Sequence, residues 1–465
     1  MNHLIRGLSD SESERLRGRI LAVTTASYVG CFAVWTIFAI IGVEIQREYD
    51  LSDTEFGLLV GIPFLSGSVM RVVLGVLADR YGGRRLFLGV MILAAVATWF
   101  VADAATFPML LVAALGSGIA GACSAVGISY IVRWYPKERH GTALGIFGAG
   151  NAGSAITKLG APWVMIAWSW QGVARLWAML LLVAAGIFWL GSTEDPEQRS
   201  RRASRQPAAP LASHVRPLRR LQVWRFGLYY FFAFGGYVAL SVWLPHYLVA
   251  VYGLDIRMAG AAAIAFSLPA GLFRILGGVL SDRYGARRVM YWSFIGSLAC
   301  TFILSYPPTD YTVHGVSGDL HFTIATGLSV FITMLIAQGF FMALGKAAVF
   351  KHIPVYYPDQ VGAVGGAVGA IGGLGGFVLP LAFGAANDLV DVWTSCFMLL
   401  FGLASVNLLW MHFAIRRQEL EAAPHLNRLH FLPELGLHGS EADVQSLASP
   451  SEEALRPNYS PKATG

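Results

Sequence analysis

Two arginines stand where an apolar sequence should hold no charge. Arg71 falls in the run FGLLVGIPFLSGSVMRVVLGVLADRYGGRR and Arg274 in AFSLPAGLFRILGGVLSDRYGARR, each eight residues before an Asp-Arg-Tyr-Gly string. If each run is a helix rising ~1.5 Å per residue and its Asp marks the membrane boundary, each guanidinium emerges ~12 Å inside a ~30 Å core. A cation at that depth costs ~2.5–3.5 kcal/mol and is retained for a use. The ordinary use is an ion pair with a buried carboxylate. Glu44, Asp103, Asp388 and Asp391 all fall near the ends of apolar runs, however, so none is placed to neutralise either arginine. Two equivalent, uncompensated guanidiniums make an anion site.

Other polar residues interrupt the apolar runs. Asn151 lies in GAGNAGSA, and the Gly-rich string GAIGGLGGF at 369–377 echoes it later in the chain. Close helix packing is the ordinary meaning of such glycines. Asn151 adds an amide that can donate to an anion, while Gly150, Gly153, Gly372 and Gly373 let backbones approach a small ligand. Lys158 in SAITKLGAP and Lys346 in MALGKAAVFKHIP are further cations inside apolar runs. Each either snorkels to the membrane surface or carries a coupling proton, since a lysine held in an apolar site trades its proton readily.

These residues need a scaffold, and the composition names its solvent. Of 465 residues, 55% are hydrophobic and 13% charged, about half the ~25% charged fraction of soluble proteins. Too little polar surface remains to cover a water-soluble fold. Apolar runs near 20–43, 56–78, 86–103, 108–134, 140–160, 174–192, 224–252, 258–281, 287–306, 323–352, 360–385 and 391–415 predict twelve spans. The fold class is therefore an all-α polytopic membrane protein. Its expected parts are a cytoplasmic segment 1–19, a six-helix half 20–192, a basic linker 193–223, a second six-helix half 224–415 and a disordered cytoplasmic tail 416–465.

The net charge of +6 sits in short connections: Arg80, Arg84 and Arg85, then Arg133, Lys137 and Arg139, then the linker, then Arg283, Arg287 and Arg288. That distribution places those connections and both termini in the cytoplasm and argues against a nucleic-acid partner. The polar N-terminus shows no cleavable-signal pattern. Cys31, Cys123, Cys300 and Cys396 lie in apolar runs without metal-ligand spacing and read as small buried hydrophobes. No catalytic cluster appears in the core, so an enzyme is not expected.

The halves also repeat. RVVLGVLADRYGGRR (71–85) and RILGGVLSDRYGARR (274–288) match at one offset, and YPKERHGTALGIFGAGNAGSA (135–155) more weakly echoes YYPDQVGAVGGAVGAIGGLGG (356–376). Such repeats are typical of secondary transporters, whose sites lie between the halves. GVLADRYGGRR and GVLSDRYGARR resemble the loop signature of the major facilitator superfamily, whose fold has twelve helices in two pseudo-symmetric halves. The resemblance implies cytoplasmic gating roles for Asp79, Arg80, Arg84, Asp282, Arg283 and Arg287.

Numbering the twelve expected spans in chain order as helices 1–12, the strings GAGNAGSA in helix 5 and GAIGGLGGF in helix 11 resemble, more narrowly, the nitrate/nitrite porter (NarK-type) family. That likeness implies nitrate or nitrite bound between Arg71 and Arg274. It also implies an aromatic face on helix 7 against the planar anion, for which Tyr230, Phe234 and Tyr237 are the matches. Ser124 stands where many members carry a helix-4 aromatic, leaving Phe147 or Phe341 to form that wall. ITKLGAP and GKAAVFKHIPVYYP are similar to the nitrate–proton symporter branch, with Lys346 and Lys158 as coupling candidates. The partners implied are the anion, protons and the lipid bilayer of the cytoplasmic membrane, with a monomeric chain, no cofactor and no metal. The readings weighed against this are nitrate/nitrite antiport, antiport of a phosphate ester or dicarboxylate, and a membrane sensor.

Overall fold

The computed structural model describes residues 10–135, 140–194, 220–316, 318–357 and 361–422. Lys137, Arg139, most of the basic linker, the tail beyond 422 and the side chains of Asp79 and Arg80 lie outside the described residues. The chain clusters into one compact unit, Met1–Ala414, and a second, Ile415–Gly465. Of the second, only the end of the last helix is described.

The first half is built from α1 (Asp10–Trp35), α2 (Phe38–Tyr49), α3 (Asp53–Tyr81), α4 (Gly83–Val101), α5 (Phe107–Ser117), α6 (Cys123–Val132), α7 (His140–Gly148) and α8 (Gly153–Gly191). The second comprises α9 (Leu221–Tyr230), α10 (Tyr237–Tyr252), α11 (Ile256–Tyr284), α12 (Ala286–Leu304), α13 (Leu328–Tyr356), α14 (Val361–Val390) and α15 (Ser395–Ala422). Among the described residues ten helical stretches are long and apolar enough to cross a bilayer, where twelve were expected. Two local features account for the difference. The fifth and sixth expected spans run together as Ala143–Gly191, and that stretch breaks where Trp168 (φ −135°) and Ser169 (φ +64°) leave helical geometry. The ninth, α12, carries Arg287 and Arg288 with Tyr291 and Trp292, which lower its mean hydropathy. The tenth begins later than the expected 323. Before it, β1 (Thr309–Gly315) and β2 (Gly318–Ile324) form an exposed hairpin, paired antiparallel from Thr309↔Ile324 to Gly315↔Gly318.

The repeated Asp-Arg-Tyr-Gly string has a backbone cause. Gly82 (φ +90°) ends α3 and Gly285 (φ +85°) ends α11, each in a conformation that L side chains rarely adopt. The chain therefore turns straight into the next helix at both places.

The halves meet most closely along α3 and α14. A Cβ added at Gly57, Gly61 or Gly384 would collide with the backbone of Pro380, Phe377 and Asp53 respectively, so this seam is backbone against backbone. At the end where α3 begins, polar bonds reinforce it. The Asp53 carboxylate accepts from Gln46 Nε2 (2.9 Å) and Asn387 Nδ2 (2.5 Å) and pairs with His246 Nε2 (2.9 Å). Asp388 on α14 accepts from the backbone N–H of Asp53 (3.1 Å) and of Thr54 (2.7 Å), and from Thr54 Oγ1 (2.5 Å). One helix start in the first half is thus capped by a carboxylate of the second.

Candidate anion-binding site

Three helices lose regular geometry deep in the bundle. Gly118–Ala122 tightens to a 3-10 turn between α5 and α6, and Ala149–Ala152 does the same between α7 and α8. Phe231–Gly236 widens to a π-turn between α9 and α10. Irregular backbone at membrane depth survives only where protein or a cavity surrounds it, and such turns recur at functional positions. Here they surround the arginines. Arg71 donates through Nε to Gly121 O (3.3 Å), in the first turn, and through Nη1 to Gly369 O (3.3 Å) across the interface. Its guanidinium lies 5.0 Å from the ring centre of Trp35 and 5.5 Å from that of Phe234, in the π-turn.

Arg274 is held more loosely. It faces Phe350 at 5.9 Å, and among the described residues it has no hydrogen-bond acceptor. The two guanidiniums lie within electrostatic reach of each other, and among the described residues neither pairs with a carboxylate. Asn151 is 4% exposed and accepts a hydrogen bond from Tyr28 Oη at 3.0 Å. The Tyr28 hydroxyl lies within electrostatic reach of Arg71, Arg274 and Tyr230. Two cations, one amide and a wall of rings therefore converge on one spot. That set can hold a small anion by charge-assisted hydrogen bonds and cover its flat faces with aromatic carbon.

The two halves build this spot in parallel. Tyr28 packs on Gly150 and stacks on Phe147 at 4.6 Å; Tyr230 packs on Gly372 and stacks on Phe234 at 5.1 Å. A side chain at either glycine would displace the ring. Gly373 is packed against Ser68, with Arg71 Nη1 3.1 Å from where a Cβ would stand. Gly153 faces the backbone of Val29 and Ala33, so its contact is helix packing against α1. Phe147 joins the aromatic wall beside Tyr28, whereas Phe341 packs on Gly296 and Phe340 within the second half. Ser124 bonds its own helix at Gly121 O (2.9 Å). Tyr28, Trp35, Phe350 and Ser68 were not anticipated from the sequence. An aromatic in an apolar run looks like core until its partners are known.

The profile described as Major Facilitator Superfamily matches residues 23–313 and 252–438. A Thermus thermophilus protein named as a probable nitrate/nitrite antiporter, NarK1, is 39% identical over 439 residues, covering 91% of this chain and 97% of its own length. The chain belongs to the nitrate/nitrite porter family of the major facilitator superfamily. The nitrite extrusion protein of Bacillus subtilis (strain 168) is 31% identical over 401 residues, 85% of this porter and 95% of that relative. A probable nitrate transporter, NarT, of Staphylococcus carnosus is 29% identical over 398 residues, 84% and 95% of the two chains. The porter's fold is similar to the inward-facing, unoccupied crystal structure of a bacterial homologue of the human lysosomal transporter Spinster. That match has a TM-score of 0.65 at 18% identity, covering 86% of the porter and 97% of the other chain.

The porter's remaining charged residues sort by location. Asp282 pairs with Lys351, Arg287 bonds Tyr356 Oη through Nε (3.2 Å) and Nη2 (2.5 Å), and Arg283 lies over Tyr284. Arg84 donates to Ser192 Oγ (3.1 Å) and Trp189 O (2.6 Å) and stacks on the Trp189 ring. These contacts all stay within one half. Neither lysine snorkels. Lys158 Nζ donates to Ser241 Oγ across the interface at 2.6 Å, and Lys346 Nζ donates to Ala270 O at 2.7 Å. Lys346 also sits 3.5 Å above the Tyr237 ring, whose hydroxyl donates to Ser267 O (3.3 Å). Tyr237 thus lies against Lys346, one turn beyond the Phe234 that faces Arg71.

Proposed function

We propose that this porter carries nitrate, with nitrite as a second substrate, across the cytoplasmic membrane by alternating access. The observation that carries the reading is the pair Arg71 and Arg274, mutually repelling and without a carboxylate among the described residues, beside Asn151. An anion removes that repulsion, so occupancy stabilises the arrangement. Nitrate is planar, matches the guanidinium forks and fits between rings. Asp79, Arg80, Arg84, Asp282, Arg283 and Arg287 mark the cytoplasmic end, where the basic connections also put both termini. The Asp53–His246–Asp388 end is then the outer gate, closed in this conformation. The chain works as a monomer, since each half supplies one arginine and the site needs no second copy.

Uptake of an anion opposes a negative-inside potential by ~2.3 kcal/mol per charge per 100 mV. One co-transported proton cancels that term and a second reverses it, so symport with protons serves import. Lys346 and Lys158, buried at 0% and 1% exposure, are the candidate carriers. Exchange of nitrate for nitrite is the second reading, favoured by the name of the Thermus thermophilus relative. Proteoliposomes holding the purified chain separate them. Labelled nitrate entering on an acid-outside gradient with no internal anion establishes symport. Entry that requires internal nitrite establishes exchange. Entry under neither condition refutes nitrate transport.

A further inference from the structure

Asn151 can help an anion only if its nitrogen, and not its carbonyl oxygen, faces it. A side-chain amide has no intrinsic preference; a neighbour must decide. We propose that Tyr28 is a positioning residue for the anion site, its hydroxyl engaging Asn151 Oδ1 and leaving Nδ2 as the donor to the anion's oxygen. This rests on the reading of Arg71, Arg274 and Asn151 as the binding site.

Four observations carry it. The Tyr28 Oη to Asn151 Oδ1 distance is 3.0 Å, with both side chains 4% exposed, so water does not compete for the bond. Among the described residues Asn151 Nδ2 has no acceptor, leaving two N–H donors unspent and open to a ligand. Both arginines lie within electrostatic reach of the phenol. Two cations favour the phenol oxygen's lone pairs facing them, and that points its hydrogen away, toward Oδ1. Finally, the ring is fixed independently of its hydroxyl, by stacking on Phe147 (23° between planes) and by packing its edge against Gly150. Tyr230 is set against Gly372 in the same way on the other side. Tyr28 is thus its counterpart in the first half, and acts on the anion through Asn151.

The test is a double-mutant cycle on the full-length chain, reading nitrate dissociation constants by calorimetry and nitrate counterflow in proteoliposomes. Tyr28→Phe keeps the stacked ring and removes only the hydroxyl; Asn151→Ala removes the donor. Hydrogen bonds to a charged partner set the scale. Asn151→Ala should weaken nitrate binding roughly tenfold or more, and Tyr28→Phe several-fold to about tenfold. The double variant should bind no more weakly than Asn151→Ala alone. Additive losses would mean that the hydroxyl acts independently of Asn151, which overturns the proposal; full affinity in Tyr28→Phe when Asn151→Ala is impaired would reduce the ring to packing and overturns it too. If Asn151→Ala itself binds nitrate normally, the site reading fails first and the inference with it. The thermal midpoint of Tyr28→Phe, expected to match the parent, separates misfolding from lost orientation.

Discussion

Replacing Asp388 by alanine should open the end of the bundle that begins α3 without unfolding the chain. The carboxylate accepts three hydrogen bonds from α3, at 3.1, 2.7 and 2.5 Å. Removing a capping side chain costs ~0.5–2 kcal/mol, and a negative charge at a helix start contributes ~0.3–1 kcal/mol. Asp388 is exposed, so solvent screens part of this and about 1–2 kcal/mol is the expected loss. The helix itself is spared, because Ser52 and Glu55 already cap it with a reciprocal pair of bonds. The loss therefore falls on the contact between halves and shifts their closed-to-open ratio roughly 5- to 30-fold. If the open state is about 1% of the parent population, within the usual range for a minor state, it rises to roughly 5–25%. Spin labels at Ala105→Cys and Met258→Cys report it by electron–electron distance measurement, since the four native cysteines are buried. A second, longer distance should appear in Asp388→Ala. An unchanged distribution in a correctly folded variant would show that the bonds to Asp388 do not hold the halves together.

The arginines should respond unequally to replacement by lysine. Arg274→Lys should weaken nitrate binding at least about tenfold with little change in thermal midpoint, because that side chain is not tethered to the backbone. Arg71→Lys should lose binding and also stability, since the bonds to Gly121 O and Gly369 O go with it; calorimetry and thermal unfolding on the same samples check both. Lys346→Met should abolish proton entry driven by nitrate while sparing nitrate counterflow, read with a trapped pH dye. Asp255 caps α11 through the Met258 N–H at 2.8 Å, a bond that, together with Arg257, holds its carboxyl below the usual range. A carboxyl lowered by folding stabilises above its unfolded value of ~3.9 and stops doing so as pH falls through the folded value. The charge-dependent difference in thermal midpoint between the parent and Asp255→Ala should therefore be constant near neutrality and shrink as the pH falls below ~3.9.

Residues that break a pattern could be read directly. Arg71 and Arg274 stand out because a charge in an apolar run has few explanations, and the repeated Asp-Arg-Tyr-Gly string exposes the two-half construction. The same runs hide Tyr28 and Trp35. Both are ordinary core residues by type, and Tyr28 takes its part only from Asn151, 123 residues away. The polar bonds at the start of α3 were hidden differently: Asp388 reads only as a residue near the end of an apolar run, and folding alone brings it to Asp53 and Thr54. The hairpin at 309–324 had a signal, the alternation in TDYTVHG and GDLHFTI around a glycine-bearing turn. The expected spans 287–306 and 323–352 leave most of it in their connection and overlap only its last two residues.

The glycine seam between α3 and α14 bears on a demand that every porter faces and binding cannot meet. A membrane that stores energy as a proton gradient is drained by any protein that lets a thread of water through, however briefly. Side chains at a seal change rotamer within nanoseconds, and each change is a chance for such a thread. At Gly57, Gly61 and Gly384 there is no side chain to move; main chain lies on main chain. This seal has no small openings in its repertoire. It must separate along its length or stay shut, and a cell living on its proton gradient loses little through a door of that kind.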